Sequence, residues 1–200
     1  MGATLVREYQ PPEIEIGEIF RYLGESNPSS EASRLVEESI AEAEGALLYR
    51  VCYTELPIKF IGEDIDLGFC KTRSAALGKV LSGCDSIVLF VATLGVGADR
   101  LIMRYSSRSP AKALALDALF TERIEALCDT FCRDIREEKA AHGMESTKRF
   151  SAGYSDFPLE VQRDIFSHLS PERSIGVHLN SALLMTPTKS VSAIIGIKKA

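Results

Sequence analysis

A segment with little tendency toward regular structure carries the residues best suited to bind a small molecule. Residues 149–158 read RFSAGYSDFP, with Arg149 at one end and the pair Gly153 and Tyr154 near the middle. Gly153 permits backbone angles that other residues avoid, and Pro158 has a fixed φ and no amide hydrogen. A guanidinium can hold a carboxylate through two parallel hydrogen bonds. The segment therefore favours a binding loop over a helix or a strand.

The small residues that follow the arginine leave the backbone accessible to a ligand. Ser151, Ala152 and Gly153 have no bulky side chain, so their amides and carbonyls are candidates for hydrogen bonds to a small-molecule ligand. Tyr154 adds an amphipathic ring that can pack on a ligand or bond through its hydroxyl. Each residue also has an ordinary alternative: a surface cation for Arg149, a structural turn for the glycine, and half-buried packing for the tyrosine.

The remaining reactive side chains do not form a recognisable catalytic or metal site. His142, His168 and His178 are scattered along the chain, and none forms a ligand pair at helical spacing. Cys128 and Cys132 lie four residues apart and could share a helix face, but no second pair completes a tetrahedral site. The sequence therefore predicts no metal site and no catalytic residue, and favours a domain that presents a small molecule to another protein.

Composition narrows the class of partner. The net charge of the 200 residues is −5, which argues against nucleic acid or anionic membrane as the main partner, because both require a basic surface. The chain has no apolar run long enough to span a membrane and no apolar signal core near its start. Its five cysteines have irregular spacing, as expected for reduced thiols. We expect a cytoplasmic protein without nucleic-acid or membrane partners.

Hydrophobic periodicity predicts the elements that position the segment. Helices are predicted at 14–23, from a cap at Asn27, at 72–81, from about Ala98, from Pro110 to about Arg136, and at 159–169. Strands are predicted at 46–53, 58–61, 65–69, 86–92, 179–185 and 190–197, with 86–92 as the central strand. Residues 1–11 are predicted to be a frayed lead-in, and 137–148 an exposed loop.

The order of these elements indicates the fold class. Helices and strands do not alternate in the rhythm of a doubly wound parallel sheet, and the hairpin around Gly62 and the final strands favour antiparallel pairing. We predict an α+β fold, a twisted and mainly antiparallel sheet with helices packed on it. The simplest organisation is a single domain over residues 1–200, since no linker or internal repeat is apparent.

Three motifs in one order carry a family resemblance. R-x-x-x-G-Y-x-x-x-P at 149–158 is followed by I-G-x-x-L at 175–179 and M-x-P-x-x-S-V-S at 185–192. Together they resemble the activation (reactivation) domain of cobalamin-dependent methionine synthase, in its stand-alone form. The resemblance implies that Arg149 anchors the carboxylate of S-adenosylmethionine, that the backbone of 151–153 holds the nucleoside, and that Tyr154 borders the pocket.

The resemblance also implies a reaction and its partners. The family supports reductive methylation of cob(II)alamin, which reactivates the synthase in methionine biosynthesis. The implied cofactors are S-adenosylmethionine on this chain and cobalamin on a partner synthase chain, with a flavodoxin-type electron donor. The protein would then be one component of a methyltransferase whose catalytic chain is separate.

Two points remain open at the level of sequence. The family has a glutamate on a helix upstream of its arginine motif, and both Glu125 and Glu122 could correspond to it, with Glu125 preferred. A second hypothesis for the function is a non-catalytic module that docks on a corrinoid protein of another methyltransferase system. Its motivation is that the chain ends at Ala200, before a further tyrosine of longer family members.

Overall fold

The computed structural model describes residues 3–200. The strands are β1 (Leu5–Glu8), β2 (Arg50–Pro57), β3 (Lys59–Ile61), β4 (Asp64–Asp66), β5 (Lys71–Thr72), β6 (Ser86–Thr93), β7 (Met144–Ser146), β8 (His178–Leu179), β9 (Met185–Thr186) and β10 (Ser190–Lys199). The helices are α1 (Ile16–Leu23), α2 (Ser30–Ala43), α3 (Ala75–Val80), α4 (Val96–Ser106), α5 (Pro110–Ala140), α6 (Val161–Leu169) and α7 (Pro171–Ser174).

The main sheet has five antiparallel strands in the order β1-β2-β6-β10-β7. β6 lies in the middle and is buried along almost its whole length. Its even-numbered apolar residues face the core that contains α5, and its odd-numbered ones face the core that contains α3 and α6. Burial on both faces explains why this strand is a continuous apolar run in the sequence. The predicted α+β fold and the predicted central strand are confirmed.

Helix α5 forms the spine of one core. It packs against α1, α2 and α4 and lies across β6 and β10 of the sheet. Pro110 opens it, as predicted, because a proline at the first helical position loses no hydrogen bond. Gly24 ends α1 in a left-handed conformation at φ +74°, also as predicted. None of the helices within residues 3–200 is long and apolar enough to cross a membrane.

Two segments predicted to be irregular are paired edge strands. The lead-in contains β1, whose Leu5 pairs with Tyr53 of β2, and the segment 137–148 contains β7, which pairs with the end of β10. α5 also continues to Ala140, beyond its predicted end. Both edge strands are short and carry exposed or charged residues. Their sequences therefore lack the alternation that identifies a half-buried strand.

Further boundaries were wrong. The strand predicted at 65–69 is β4 and ends at Asp66, and Thr72, predicted to begin a helix, lies in β5 before α3. In place of the strand predicted at 179–185, the structure has two strands of two residues each, β8 and β9, which pair with each other. The segment between them forms a turn, in which the Asn180 side chain accepts hydrogen bonds from the amides of Ala182 and Leu184. β2 begins at Arg50 rather than at residue 46. Ser29, not Asn27, caps α2, since its side chain accepts a hydrogen bond from the Ala32 amide.

Candidate functional site

A cavity of about 380 Å³ lies where the segment 149–158 meets α5, α6 and the start of β10. It is lined by Glu125, Arg149, Phe150, Ser151, Ala152, Tyr154, Gln162, Met185, Ser190, Val191 and Ser192. Its volume falls in the range of roughly 300–1,000 Å³ that is usual for small-molecule sites. The structure therefore brings two of the sequence motifs, R-x-x-x-G-Y and M-x-P-x-x-S-V-S, together in the lining of one cavity.

The backbone next to Arg149 is held against the sheet. The Phe150 amide donates to the Ile194 carbonyl at 2.8 Å, and the Ile194 amide donates to the Phe150 carbonyl at 2.9 Å. This isolated bridge ties the start of the segment to β10, which pairs with the central strand β6. Arg149 thus projects from an ordered backbone toward α5, as a preorganised binding residue requires.

Arg149 forms an ion pair that leaves part of its guanidinium unused. Its Nη2 atom donates to Oε2 of Glu125 and lies 3.3 Å from Oδ1 of Asp129. Within residues 3–200 neither Nε nor Nη1 of Arg149 has a hydrogen-bond partner. The side chain is only 24% exposed, so the unused donors face a partly desolvated cavity. Such donors suit a carboxylate that arrives with a ligand.

The surroundings of Arg149 keep it charged. Partial burial works against its charge, but the negative charge that Cys128 carries once it is deprotonated at high pH and the carboxylates of Glu125 and Asp129 outweigh this and raise the arginine pKa above its ordinary value. Burial raises the pKa of the fully buried Cys128 thiol as well, so the thiol is neutral at physiological pH. The attraction on the guanidinium therefore comes from the two carboxylates.

The Gly-Tyr turn closes on itself through backbone hydrogen bonds. Gly153 has φ +90°, and its amide donates to the Phe157 carbonyl at 2.8 Å, while the Phe157 amide donates to the Tyr154 carbonyl at 3.0 Å. The Gly153 amide is therefore already bonded, and Gly153 shapes the turn without lining the cavity. Tyr154 lies at the rim with 67% of its surface exposed.

Asp156 ties the same turn to the start of α3. Its carboxylate accepts from Ser74 Oγ and the Ala75 amide, both at 2.6 Å, and from the Ala76 amide at 3.2 Å. These donors lie at the first turn of α3, where a negative charge is favoured. The Ser74 hydroxyl, followed by the backbone amides, holds the pKa of Asp156 below its usual value.

The M-x-P-x-x-S-V-S segment forms another part of the cavity lining. Ser190 Oγ donates to the Pro187 carbonyl at 2.8 Å and lies 2.9 Å from Thr93 Oγ1, which fixes the start of β10. Met185, Ser190, Val191 and Ser192 then face the cavity.

A comparison with protein families shows which family the chain belongs to. The family model described as the activation domain of vitamin B12 dependent methionine synthase matches residues 78–200, which is more than half of the chain. The chain belongs to this family. The matched region contains every residue that lines the cavity, from Glu125 on α5 to Ser192 on β10. The resemblance inferred from the three motifs is thereby confirmed.

Solved structures agree on the fold of this activation domain. A crystal structure of the MetH reactivation domain bound to AdoHcy matches with a TM-score of 0.74 and 19% sequence identity. The match covers 97% of this chain and 78% of that chain, and at this identity it establishes the fold alone. A search of curated proteins gives no significant match.

Five of the six predicted site residues of the activation domain line one cavity: Arg149, Ser151, Ala152, Tyr154 and Glu125. The sixth, Gly153, lies in the turn between them. The structure also separates the two candidate glutamates. Glu125 contacts Arg149, whereas Glu122 is buried and is bonded to Arg123. Their roles in ligand binding remain predictions.

The prediction from sequence missed several lining residues. Met185, Ser190, Val191 and Ser192 belong to a motif that supported the family resemblance, so the signal was present but had not been assigned to the site. Gln162 had a weaker signal, a single amide on the otherwise apolar buried face of α6.

A second and more acidic cavity, of about 540 Å³, adjoins the first. Glu125 lines both, and the second is otherwise bordered by several carboxylates and one cation. Its charged lining residues are Glu13, Glu15, Glu18, Glu122, Glu125, Asp129 and Arg133. The concentration of carboxylates next to Arg149 makes this end of the site suitable for a molecule that carries both a carboxylate and positive charge.

Proposed function

We propose that this activation domain binds S-adenosylmethionine and supports reductive methylation of cob(II)alamin on a cobalamin-dependent methionine synthase. The single observation that carries the proposal is Arg149, which enters the family-motif cavity with unused guanidinium donors. Family membership implies a cobalamin-binding partner. That the synthase is a separate chain, and that a flavodoxin-type protein supplies the electron, are parts of the same proposal.

The chemistry of the ligand matches the charges of the site. The carboxylate of S-adenosylmethionine would pair with the free Nε and Nη1 donors of Arg149, while Glu125 and Asp129 face its ammonium and sulfonium charges. The nucleoside would lie against residues 151–152 and Met185, with Tyr154 at the rim. AdoHcy, which the MetH reactivation domain holds in its crystal structure, is what remains when S-adenosylmethionine loses its methyl group.

The reaction demands positioning more than acid–base chemistry. The partner's cobalamin would supply a cobalt that accepts the methyl group once the donor protein's electron has reduced it, and the ligand would leave as a neutral thioether when its carbon–sulfur bond breaks. No proton is transferred, so the domain needs no general base. Its contribution is to hold the methyl group in line with the acceptor on the partner.

Isothermal titration of the purified protein with S-adenosylmethionine tests the proposal. Arg149→Ala should weaken binding by roughly ten- to a hundredfold, because a hydrogen bond to a charged group contributes about 1.5–3 kcal/mol. Arg108→Ala is the matched control, since Arg108 is exposed and does not line the cavity. Unchanged affinity in Arg149→Ala would contradict the assigned site.

The second hypothesis, a docking module that does not use S-adenosylmethionine, predicts a different result. The wild-type protein would then show no saturable binding, alone or with the cobalamin-loaded synthase present. It would still be retained by a corrinoid protein in a pull-down, regardless of added S-adenosylmethionine.

A further inference from the structure

The buried face of α6 carries one polar side chain. The helix buries Val161, Gln162, Ile165, Phe166 and Leu169, and Gln162 is the only one of them that can hydrogen-bond through its side chain. Gln162 is 6% exposed, and it lines the cavity beside Arg149. A carboxamide therefore occupies a position where the helix would otherwise present an apolar side chain.

The oxygen of this carboxamide has no partner. Among residues 3–200, Gln162 Oε1 is buried and accepts no hydrogen bond. Two other buried side-chain oxygens share this condition, those of Tyr9 and Thr54, but neither residue lines this cavity. An unpaired buried acceptor destabilises the protein unless something supplies a donor. A ligand in the cavity is the available source.

The walls around Gln162 indicate which part of a ligand lies there. Phe150, Ala152, Met185 and Val191 line the cavity with apolar surface, whereas the charges of Arg149 and Glu125 belong to the amino-acid end of the ligand. An apolar slot with one convergent amide suits a flat heterocycle. Adenine presents an amino donor beside a ring-nitrogen acceptor, which is the complement of a carboxamide.

We propose that Gln162 selects adenine in the ligand of this site, an inference that rests on the proposed function. Oε1 of Gln162 accepts a hydrogen bond from the 6-amino group, and Nε2 donates to the ring nitrogen N7. Hypoxanthine presents two acceptors on this edge, N7 and an oxygen at position 6, so Oε1 would lack a donor in either orientation of the amide. A site built to accept from an amino group rejects an analogue that lacks it.

Paired ligands test this selection. S-adenosylhomocysteine and S-inosylhomocysteine differ at position 6 of the base and share the same amino-acid end. The wild-type protein should prefer the adenosyl ligand by about tenfold or more in titration calorimetry. Gln162→Met, which has similar volume and no amide, should bind the two ligands with nearly equal affinity.

Two further variants separate base selection from general binding. Gln10→Met is the matched control, because Gln10 is exposed and lines only the neighbouring acidic cavity, and it should keep the wild-type preference. Arg149→Ala should weaken both ligands by the same factor and leave their ratio unchanged. Gln162→Met should fold with undiminished urea resistance, because it removes an unpaired buried amide.

The outcomes distinguish the two proposals. If Gln162→Met keeps the wild-type preference for the adenosyl ligand, adenine selection by Gln162 is wrong and the proposed function stands. If the wild-type protein binds neither ligand, with or without the cobalamin-binding partner, both are wrong. Equal wild-type affinity for the two ligands would also overturn the selection by Gln162.

Discussion

Two arginine–glutamate pairs, each with its glutamate on α5, are built from the same residue types and are used in opposite ways. Arg123 and Glu122 are 2% and 4% exposed, and Arg123 Nε donates to Glu122 at 2.5 Å. Its Nη1 and Nη2 atoms donate to the carbonyls of Pro12 and Glu13 at 2.5 and 2.6 Å. Arg149 and Glu125 are 24% and 39% exposed, and among residues 3–200 only Nη2 of the Arg149 guanidinium has a partner.

The difference shows how a structural ion pair and a binding residue can be told apart. The first pair fastens the N-terminal segment to α5, since Glu122 also accepts from the Glu15 amide at 3.2 Å. Every nitrogen of the Arg123 guanidinium is used within the protein, so none is left for a ligand. The second pair holds its arginine by one nitrogen and leaves the others facing a cavity.

The largest expected effect is on stability. Arg123→Met should lower the free energy of unfolding by about 3–5 kcal/mol, because it leaves the buried Glu122 carboxylate uncompensated. Arg149→Met should lower it by about 1 kcal/mol or less, since its pair is partly exposed. Urea unfolding of both variants measures the contrast. Equal losses would mean that the two pairs have the same structural role.

A smaller effect is expected at the turn that presents Arg149. Gly153→Ala should destabilise the protein by about 1–3 kcal/mol, because alanine is strained at φ +90° and its Cβ would lie 3.0 Å from Leu159 Cδ1. It should also weaken S-adenosylmethionine binding. Gly62→Ala, at φ +63° in the hairpin with nothing within 4 Å, is the control. It should lose stability but keep its affinity, and an equal loss of affinity would contradict a special role for the turn.

The smallest effect concerns the anchor of that turn and depends on pH. The folded state holds the pKa of Asp156 below its ordinary value, so the Asp156 carboxylate takes up a proton less readily in the folded protein than in the unfolded chain. The stabilisation is fully present above about pH 4 and is lost as the pH falls through the lowered folded pKa.

Asp156→Asn tests this linkage. Its difference from wild type in unfolding free energy should be constant from neutral pH down to about pH 4 and should shrink below that. Asp164→Asn, at an exposed position on α6, is the control substitution of the same type. A difference that is independent of pH would show that the charge of Asp156 does not stabilise the turn.

Much of the site was predictable because its residues are adjacent in the chain. The arginine, the small residues and the glycine form one segment, and their unsuitability for helix or strand is a local property. The α+β class and the central strand followed from hydrophobic patterns of the same local kind. That one domain spans residues 1–200 remains a prediction.

What the prediction missed depends on partners distant in sequence. β1 and β7 are strands only because β2 and β10 supply their hydrogen bonds. Gln162 became a candidate binding residue only once its amide was found unpaired beside Arg149. Periodicity along α6 places Gln162 on the apolar face of the helix, but it does not show that the amide oxygen lacks a partner.

The sequence by itself determined the fold class, the segment that lines the cavity and the family, because glycine and proline positions, hydrophobic periods and motif order are properties of neighbouring residues. Only the tertiary structure decided that Glu125 rather than Glu122 meets Arg149, and that Gln162 lines the cavity. The physical reason is that the hydrogen-bond partners of a side chain depend on contacts between residues that are far apart in sequence. Arg123, for example, donates to carbonyls 110 and 111 residues away.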